Sequence, residues 1–239
     1  MRVVISIGGS VLAPDLEPDS IRAYAEAVET LLGSGVELGL VVGGGTVARE
    51  YIETARDLGE NEIALDELGI AVTRLNARLL ITALEDQAAP TPVESYEGGL
   101  AAMRRGEVPV LGGVAPGQTT DAVSAALAEY VEADLLVYAT SVPGVFTADP
   151  DADPDAEQLR SLTPAELVDV IVDTELVAGS SAPVDLLAAK LIERSGMRTI
   201  VLDGTDPERI VEAVRSGDHD GTDVVPTGSA DRLPAWGGA

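Results

Sequence analysis

The chain has 239 residues and a formal net charge of −26, from 15 Lys and Arg against 41 Asp and Glu. This length suits one large domain, and a hydrophobic content of 46% indicates a globular protein with a sizeable core. The chain has no cysteine and one histidine, His219, which excludes disulfides, thiolate nucleophiles and multi-histidine metal sites. The acidic excess argues against a nucleic-acid partner. No apolar run reaches the roughly 18 residues of a membrane helix.

Lysine is almost absent, since 14 of the 15 basic residues are arginine and Lys190 is the remaining one. An acidic, lysine-poor composition predicts a protein built for a salt-saturated cytoplasm, where the Debye length is about 3 Å at 1 M salt and surface repulsion is screened. Residues 1–13 have some character of a signal peptide, but Gly8-Gly9-Ser10 interrupts their apolar run. We therefore interpret them as a first strand and loop, and expect a cytoplasmic protein.

The hydrophobic pattern predicts strands that alternate with helices. In chain order it indicates a strand at 3–7, a helix at 18–32, a strand at 36–42, helices at 46–58 and 62–84, a strand at 108–111, a helix at 120–130, a strand at 135–139, helices at 164–172 and 184–195, a strand at 199–202, a helix at 207–215 and a strand at 222–225. This order predicts an α/β/α sandwich with a mostly parallel central sheet. Residues 1–225 are expected to form a single domain, followed by a flexible tail at 226–239.

Glycine clusters follow several of these strands, at 8–9, 43–45 and 112–113. In open α/β sheets, ligands bind beyond the carboxyl ends of the strands, where glycine allows close backbone approach and helix N-termini attract anions. The clusters therefore predict a phosphate-binding protein, with simple turns as the alternative. Residues 43–48 also fit the dinucleotide pattern G-x-G-x-x-A, with Asp66 about twenty residues further on. However, Asp66 falls inside a predicted helix rather than at a strand end, which disfavours a nicotinamide site.

Lys190 and Asp121 are further candidates for chemistry. A lone lysine in an arginine-rich chain indicates a position that needs a compact ammonium group, such as one directed at a phosphoryl group. A surface lysine whose stem packs on an apolar helix is equally compatible with the sequence. Asp121 follows Thr119-Thr120 at a helix start, where one of these residues serves as a cap. The turn that contains His219 is expected to be structural.

Seven segments together resemble the amino acid kinase family, and within it most closely the UMP kinases of archaeal type. They are IGGSVL, VVGGGTVAREYIE, DELGIAVTRLNARLL, LGGVAPGQTTDAVSAALAEY, ATSVPGVFTADP, AGSSAPVDLLAAKLIERSG and GDHDGT. The likeness spans residues 2 to 225, and the segments DELGI…TRLNA and GQTTDA are its most specific parts.

The resemblance implies ATP-dependent phosphorylation of UMP to UDP with Mg²⁺, in an N-terminal acceptor part and a C-terminal ATP part. By similarity, ATP would contact Gly9, Ser10, Gly45, Arg49, Thr140, Phe146 and Asp149. UMP would contact Gly44, Asp66, Val114, Ala115, Pro116, Gly117, Gln118, Thr119 and Thr120. Asp121 and Lys190 would form a charged catalytic pair, together with Arg49, and no protein metal ligand is expected. Relatives of this branch are commonly hexamers, and UTP often inhibits them.

The chain departs from the family pattern at two positions. Ser6 stands where many relatives carry a lysine, so one donor to the transferring phosphoryl group is missing or replaced. Phe146 stands where tyrosine is frequent, which keeps the ring without its hydroxyl. The alternatives are a kinase of the same fold for an amino acid, carbamate or isopentenyl phosphate, and a non-catalytic store for nucleotides or anions.

Overall fold

The computed structural model describes residues 1–148, 150, 153–175 and 183–226. Its first half contains β1 (Arg2–Ile7), α1 (Gly9–Leu12), α2 (Pro18–Gly33), β2 (Glu37–Val42), α3 (Gly45–Asp57), α4 (Glu62–Leu84), a 3-10 turn (Glu85–Gln87), α5 (Tyr96–Arg104), β3 (Val110–Leu111) and α6 (Thr120–Tyr130). Its second half contains β4 (Leu135–Thr140), β5 (Val145–Phe146), β6 (Gln158–Leu159), β7 (Ser161–Leu162), α7 (Pro164–Glu175), α8 (Leu186–Ser195), β8 (Thr199–Asp203), α9 (Glu208–Ser216) and β9 (Thr222–Val224).

One seven-stranded sheet organises the molecule, in the order β3-β2-β1-β4-β8-β9-β7. The pairs from β3 to β8 are all parallel, whereas β9 runs antiparallel to β8. The carboxyl ends of β3, β2, β1, β4 and β8 therefore meet at one edge of the sheet, where this class of fold binds ligands. Strands β5 and β6 form a separate antiparallel pair.

Alternating side chains of the strands supply two hydrophobic cores, one on each face of the sheet. On β1, Val3, Ile5 and Ile7 belong to one core, which is completed mainly by α2, α4 and α9. Val4 belongs to the other core, which α5, α6, α7 and α8 complete. Because Ser6 has the same parity as Val4, its side chain lies on the α6–α8 side of the sheet. The α/β/α sandwich predicted from the sequence is confirmed.

The predicted element boundaries are accurate where local signals are strong. Helix α4 has the predicted limits because Asn61 accepts a hydrogen bond from the Ala64 N–H at 3.3 Å and caps its first turn. Helix α5 was not predicted, since Gly98 and Gly99 lower helix propensity. Gly99 allows α5 to pack closely on α6, because a Cβ there would lie 2.9 Å from the end of the Leu127 side chain, which would have to move.

Three further differences concern short elements. The loop predicted at 8–10 contains the single-turn helix α1, and the strand predicted at 108–111 is reduced to β3, with Val108 in an isolated bridge to Ala88. Strands β5, β6 and β7 were not predicted, since two-residue strands leave no periodic pattern.

Residues 227–239 lie outside the described residues, so the flexible tail stays a prediction. Within the described ranges, no helix is long and apolar enough to cross a membrane.

Candidate active site

Two glycine loops meet at the centre of the sheet edge. The Gly43 N–H donates to the Ile7 carbonyl at 2.9 Å, which places the loop after β2 against the loop after β1. A Cβ on Gly9 would lie 2.3 Å from the Gly45 nitrogen, and Gly45 itself has a φ of +64°. Glycine is therefore required at both positions, because the two backbones touch and one of them adopts a left-handed conformation.

Helix α4 holds both the loop after β2 and the loop after β3 from one side. The Asn76 amide donates to the Gly43 carbonyl at 2.9 Å and lies 3.3 Å from the Gly44 carbonyl. The Thr73 hydroxyl accepts from the Gly113 N–H at 2.7 Å. Both side chains are buried, with 5% and 6% of their surface exposed. These hydrogen bonds fix the loops without occupying the space between them.

The loops enclose a cavity of about 670 Å³. Its lining consists of Gly8, Gly9, Ser10, Gly43, Gly44, Gly45, Ala48, Arg49, Ile52, Asp66, Gly69, Ile70, Thr73, Gly113, Gly117, Gln118, Thr119 and Thr120. The lining includes one cationic side chain, Arg49, and one carboxylate, Asp66. Helix α3 begins at this cavity and has no side-chain cap, so its first N–H groups favour a bound anion.

The loop at 113–120 closes the cavity on the side of α4. The Asp66 carboxylate accepts the Gly117 N–H at 2.7 Å, and the Tyr96 hydroxyl donates to the Gln118 side chain at 3.1 Å. At the end of the loop, Thr119 accepts the Ala122 N–H at 3.1 Å and caps α6. We call residues 113–120 the acceptor loop. It is thus fixed at three points along its length.

Asp121 lies in the first turn of α6, directly after the cavity-lining Thr120. Burial raises the pKa of its carboxyl to about 7, and the nearby negative charge of Asp185 contributes to the increase. Hydrogen bonds from the Asp185 backbone N–H and the Ser6 side chain act in the opposite direction. Desolvation outweighs these bonds, so the pKa of the carboxyl is raised toward neutral pH.

The cavity brings together ten of the residues predicted for the site. They are Gly9, Ser10, Gly44, Gly45, Arg49, Asp66, Gly117, Gln118, Thr119 and Thr120. Val114, Ala115 and Pro116 belong to the acceptor loop but do not line the cavity.

Two of the residues predicted to contact ATP lie outside the cavity. Thr140 ends β4, where its hydroxyl donates to the Val142 carbonyl at 2.9 Å, and Phe146 lies in β5. Neither residue lines the cavity. Asp149 lies outside the described residues.

Lys190 does not contact the cavity or Asp121. Its side chain is 54% exposed on α8 and forms an ion pair with Glu193 at 2.9 Å. The groups that shift the pKa of Asp121 are Asp185 and Ser6, and Lys190 is not among them. The expected Lys190–Asp121 pair is therefore not formed in this structure. A catalytic role for Lys190 stays a prediction.

Three residues at the site were missed in the sequence. Thr73 and Asn76 are buried polar residues three positions apart on an otherwise apolar face of α4, and this pattern is a usable signal for a helix that holds a site. Asp185 precedes α8 and accepts the Leu187 and Ala188 N–H groups, a capping signal readable in the sequence. Its proximity to Asp121 depends on the packing of α6 against α8, which the sequence does not reveal.

Comparison with known proteins gives one consistent result. The model of the amino acid kinase family matches residues 1–203. A uridylate kinase of Halobacterium salinarum is 67% identical over 236 residues, covering 99% of this chain and 98% of its own. A uridylate kinase of Halorubrum lacusprofundi is 65% identical over 239 residues, covering 100% of this chain and 99% of its own. The crystal structure of uridylate kinase from Archaeoglobus fulgidus has a TM-score of 0.83 and 43% identity, and it covers 94% of this chain and 100% of its own.

Proposed function

This chain belongs to the amino acid kinase family, and we propose that it transfers the terminal phosphoryl group of ATP to UMP, giving UDP and ADP, in pyrimidine nucleotide biosynthesis. Relatives named uridylate kinase that are 65% and 67% identical along almost the whole chain support this substrate. The structural observation that carries the proposal is the single cavity in which two glycine loops, Arg49 and Asp66 meet.

The glycine loops and Arg49 supply the positive potential that the two substrates need. Both substrates are anions, and the protein carries a formal charge of −26. Backbone N–H groups of Gly9, Ser10 and Gly45, the uncapped start of α3 and the Arg49 guanidinium are proposed to bind the ATP phosphates. Thr140, Phe146 and Asp149 are proposed for the nucleoside side of ATP.

Asp66 and the acceptor loop form the proposed UMP site, together with Gly44. A carboxylate offers about four acceptor positions, so Asp66 can hold the Gly117 N–H and also accept the ribose hydroxyls. A hydrogen bond to a ribose hydroxyl discriminates strongly against an analogue that lacks this hydroxyl, because the analogue leaves polar groups of the site unpaired. Val114, Ala115 and Pro116 contribute the backbone that shapes this loop.

The reaction needs no general base. The second pKa of a phosphate monoester is about 6, so UMP at pH 7 is mostly a dianion and already nucleophilic. Phosphoryl transfer passes through a loose transition state, so the protein mainly positions the reactants and neutralises their charge. Asp121 is therefore proposed to orient neighbouring donors rather than to abstract a proton.

Mg²⁺ is proposed to enter with ATP. Within the described ranges, no group of three or more His, Asp or Glu side chains could hold a metal ion. Mg²⁺ is often bound through substrate phosphates and water rather than by a protein cage, and a cavity lined by backbone N–H groups fits that arrangement. When bound, the ion neutralises charge on the phosphate oxygens.

The oligomeric state of the protein and its inhibition by UTP are also proposals. Leu75 and Leu79, one turn apart on α4, are 62% and 40% exposed, and Leu58 at the end of α3 is 81% exposed. These apolar groups support self-association, which we propose gives a homohexamer. Light scattering of the purified protein gives its mass directly. UTP is proposed as an inhibitor, with loss of turnover on UTP addition as the test.

A salt-rich cytoplasm is the proposed environment. The charge of −26 destabilises the compact chain by self-repulsion unless salt screens it. We expect the free energy of unfolding to fall when KCl is lowered from molar concentrations. Equal stability in low salt would contradict a halophilic adaptation.

A coupled assay with ATP and Mg²⁺ in high KCl tests the activity, with UMP, CMP and dCMP as acceptors. We expect a preference for UMP of at least about tenfold in kcat/KM. Arg49→Ala should lower kcat/KM about a hundredfold, whereas Arg22→Ala, an exposed arginine paired with Asp19 on α2, serves as the matched control. No turnover with any nucleotide would favour a storage protein, and equal rates with CMP would contradict a UMP-specific site.

A further inference from the structure

Asp185, just before α8, forms hydrogen bonds in three directions. Its Oδ1 accepts the Leu187 N–H at 2.7 Å and the Ala188 N–H at 3.0 Å, which caps α8. Its Oδ2 accepts a short hydrogen bond from the Thr119 hydroxyl. Its backbone N–H donates to the Asp121 carboxylate. One residue thus contacts a helix start, the acceptor loop and a buried carboxylate.

Thr119 completes this link from the opposite side. Its hydroxyl accepts the Ala122 N–H at 3.1 Å as the cap of α6 and donates its one proton to Asp185. Thr119 lines the cavity, whereas Asp185 does not. The starts of α6 and α8 are therefore joined by a single hydrogen bond between side chains, located where the acceptor loop ends.

The surroundings of Asp121 show why this link matters for the site. The groups that face Asp121 are Ser6 on β1, Tyr138 on β4 and Asp185, and none of these three is a cation. The Tyr138 hydroxyl donates to the Asp121 carbonyl at 2.8 Å, which fixes its backbone. Where many relatives have a lysine, Ser6 supplies a hydrogen bond without a charge. After burial, which has the largest effect, the negative charge of Asp185 is the main influence on the pKa of Asp121.

We propose that Asp185 is a positioning residue for phosphoryl transfer. It fixes the positions of Thr119 and Asp121 relative to each other, where the start of α6 meets the start of α8. This inference rests on the proposed function, because it assumes that the acceptor loop binds the phosphoryl acceptor. Asp185 acts through Thr119 and Asp121 and does not touch the substrate. Misplacement of an acceptor by about 1 Å can lower a rate about a hundredfold, so a lost link between the two helices should affect kcat.

Three variants test the link. Asp185→Asn keeps an oxygen that can cap α8 but loses the charge and leaves one acceptor fewer for Thr119. Thr119→Val removes the hydroxyl at nearly constant shape, and Thr119→Ser restores it. We expect Asp185→Asn and Thr119→Val to lower kcat at least about tenfold with little change in the KM for ATP, and Thr119→Ser to stay within about threefold of wild type. The double variant Asp185→Asn/Thr119→Val should be no worse than the poorer single variant.

The pH dependence of kcat separates positioning from simple loss of structure. In the wild type, we expect ionisation of Asp121, whose pKa burial raises to about 7, to set the acid limb of the pH profile of kcat. Removal of the like charge in Asp185→Asn lowers the pKa of Asp121, so the acid limb moves toward lower pH. Thr119→Val keeps that charge, so its acid limb stays near the wild-type position although its kcat falls.

Asp206→Asn is the control, since Asp206 lies just before α9 and its carboxylate, like that of Asp185, accepts a backbone N–H two residues further on, from Glu208 at 3.1 Å. It should keep its kcat. Near-wild-type kcat in both Asp185→Asn and Thr119→Val, or equal losses in Thr119→Val and Thr119→Ser, would overturn the proposal. If Asp185→Asn does not fold, Asp185→Ser, which also offers α8 a capping oxygen, takes its place. No wild-type turnover of UMP would reject the proposed function and this inference together, whereas turnover that survives the variants rejects the inference alone.

Discussion

Gly9→Ala is the substitution for which the structure predicts the largest local disturbance. The new Cβ would lie 2.3 Å from the Gly45 nitrogen and 2.5 Å from the Gly43 oxygen, whereas ordinary contact begins at 3.4 Å. The two backbones would have to separate by about 1.1 Å, the difference between 3.4 and 2.3 Å. Asn76 and the Gly43–Ile7 hydrogen bond oppose this movement, so relaxation is costly.

We expect Gly9→Ala to lose about 1–3 kcal/mol of unfolding free energy from overpacking. Its kcat/KM for UMP should fall about a hundredfold, because the N–H groups proposed to bind the phosphates shift by about 1 Å. Denaturant unfolding and the coupled kinase assay measure the two effects.

Gly33→Ala is the control for Gly9→Ala. No atom lies within 4 Å of a Cβ built on Gly33 at the end of α2, so alanine there should be neutral or stabilise by up to about 1 kcal/mol. If Gly9→Ala kept wild-type activity and stability, the close contact of the two glycine loops would not describe the working enzyme.

Three further substitutions test individual residues. Asp66→Asn should raise the KM for UMP at least about tenfold and leave the KM for ATP unchanged; an unchanged UMP KM would remove Asp66 from the acceptor site. Lys190→Ala tests the catalytic role predicted for Lys190: a hundredfold loss of kcat would show that Lys190 reaches the phosphates, whereas a kcat within about threefold of wild type, as expected if Lys190 contributes only its exposed ion pair with Glu193, would remove it from the catalytic residues. For Asp121, burial raises the pKa of the carboxyl from its ordinary value of 3.8 to about 7 in the folded protein, so the stability that its proton contributes is full below pH 3.8 and is lost as pH rises through 7. Asp121→Asn should therefore gain stability over wild type between pH 4.5 and 8, on the order of 2–4 kcal/mol by urea unfolding, and a difference independent of pH would contradict the raised pKa.

The sequence is sufficient to predict the layers and the phosphate-binding edge, because these depend on local patterns. The buried strands and the 23-residue helix α4 have clear periodicity, and the glycine loops follow the strand ends. Asp66 could be placed on α4 from spacing alone. Its approach to Gly117 required the tertiary fold, since 51 residues separate the two.

Lys190 shows what the sequence leaves open. Its rarity in the composition favoured a directed role, but one position on a helix does not determine which way a long side chain extends. For Asp185, the sequence indicates only part of what the structure shows. An aspartate before a helix is adequately explained as a cap, and only the packing of α8 against α6 reveals its contacts with Thr119 and Asp121.

The central claim is that the cavity between the glycine loops and α4 binds UMP. A crystal structure of the complex with UMP in high KCl tests it most directly. We predict the UMP phosphate against Gly44 and the acceptor loop, and a ribose hydroxyl within about 3.2 Å of the Asp66 carboxylate. UMP bound elsewhere, or with its ribose turned away from Asp66, would contradict the proposed acceptor site.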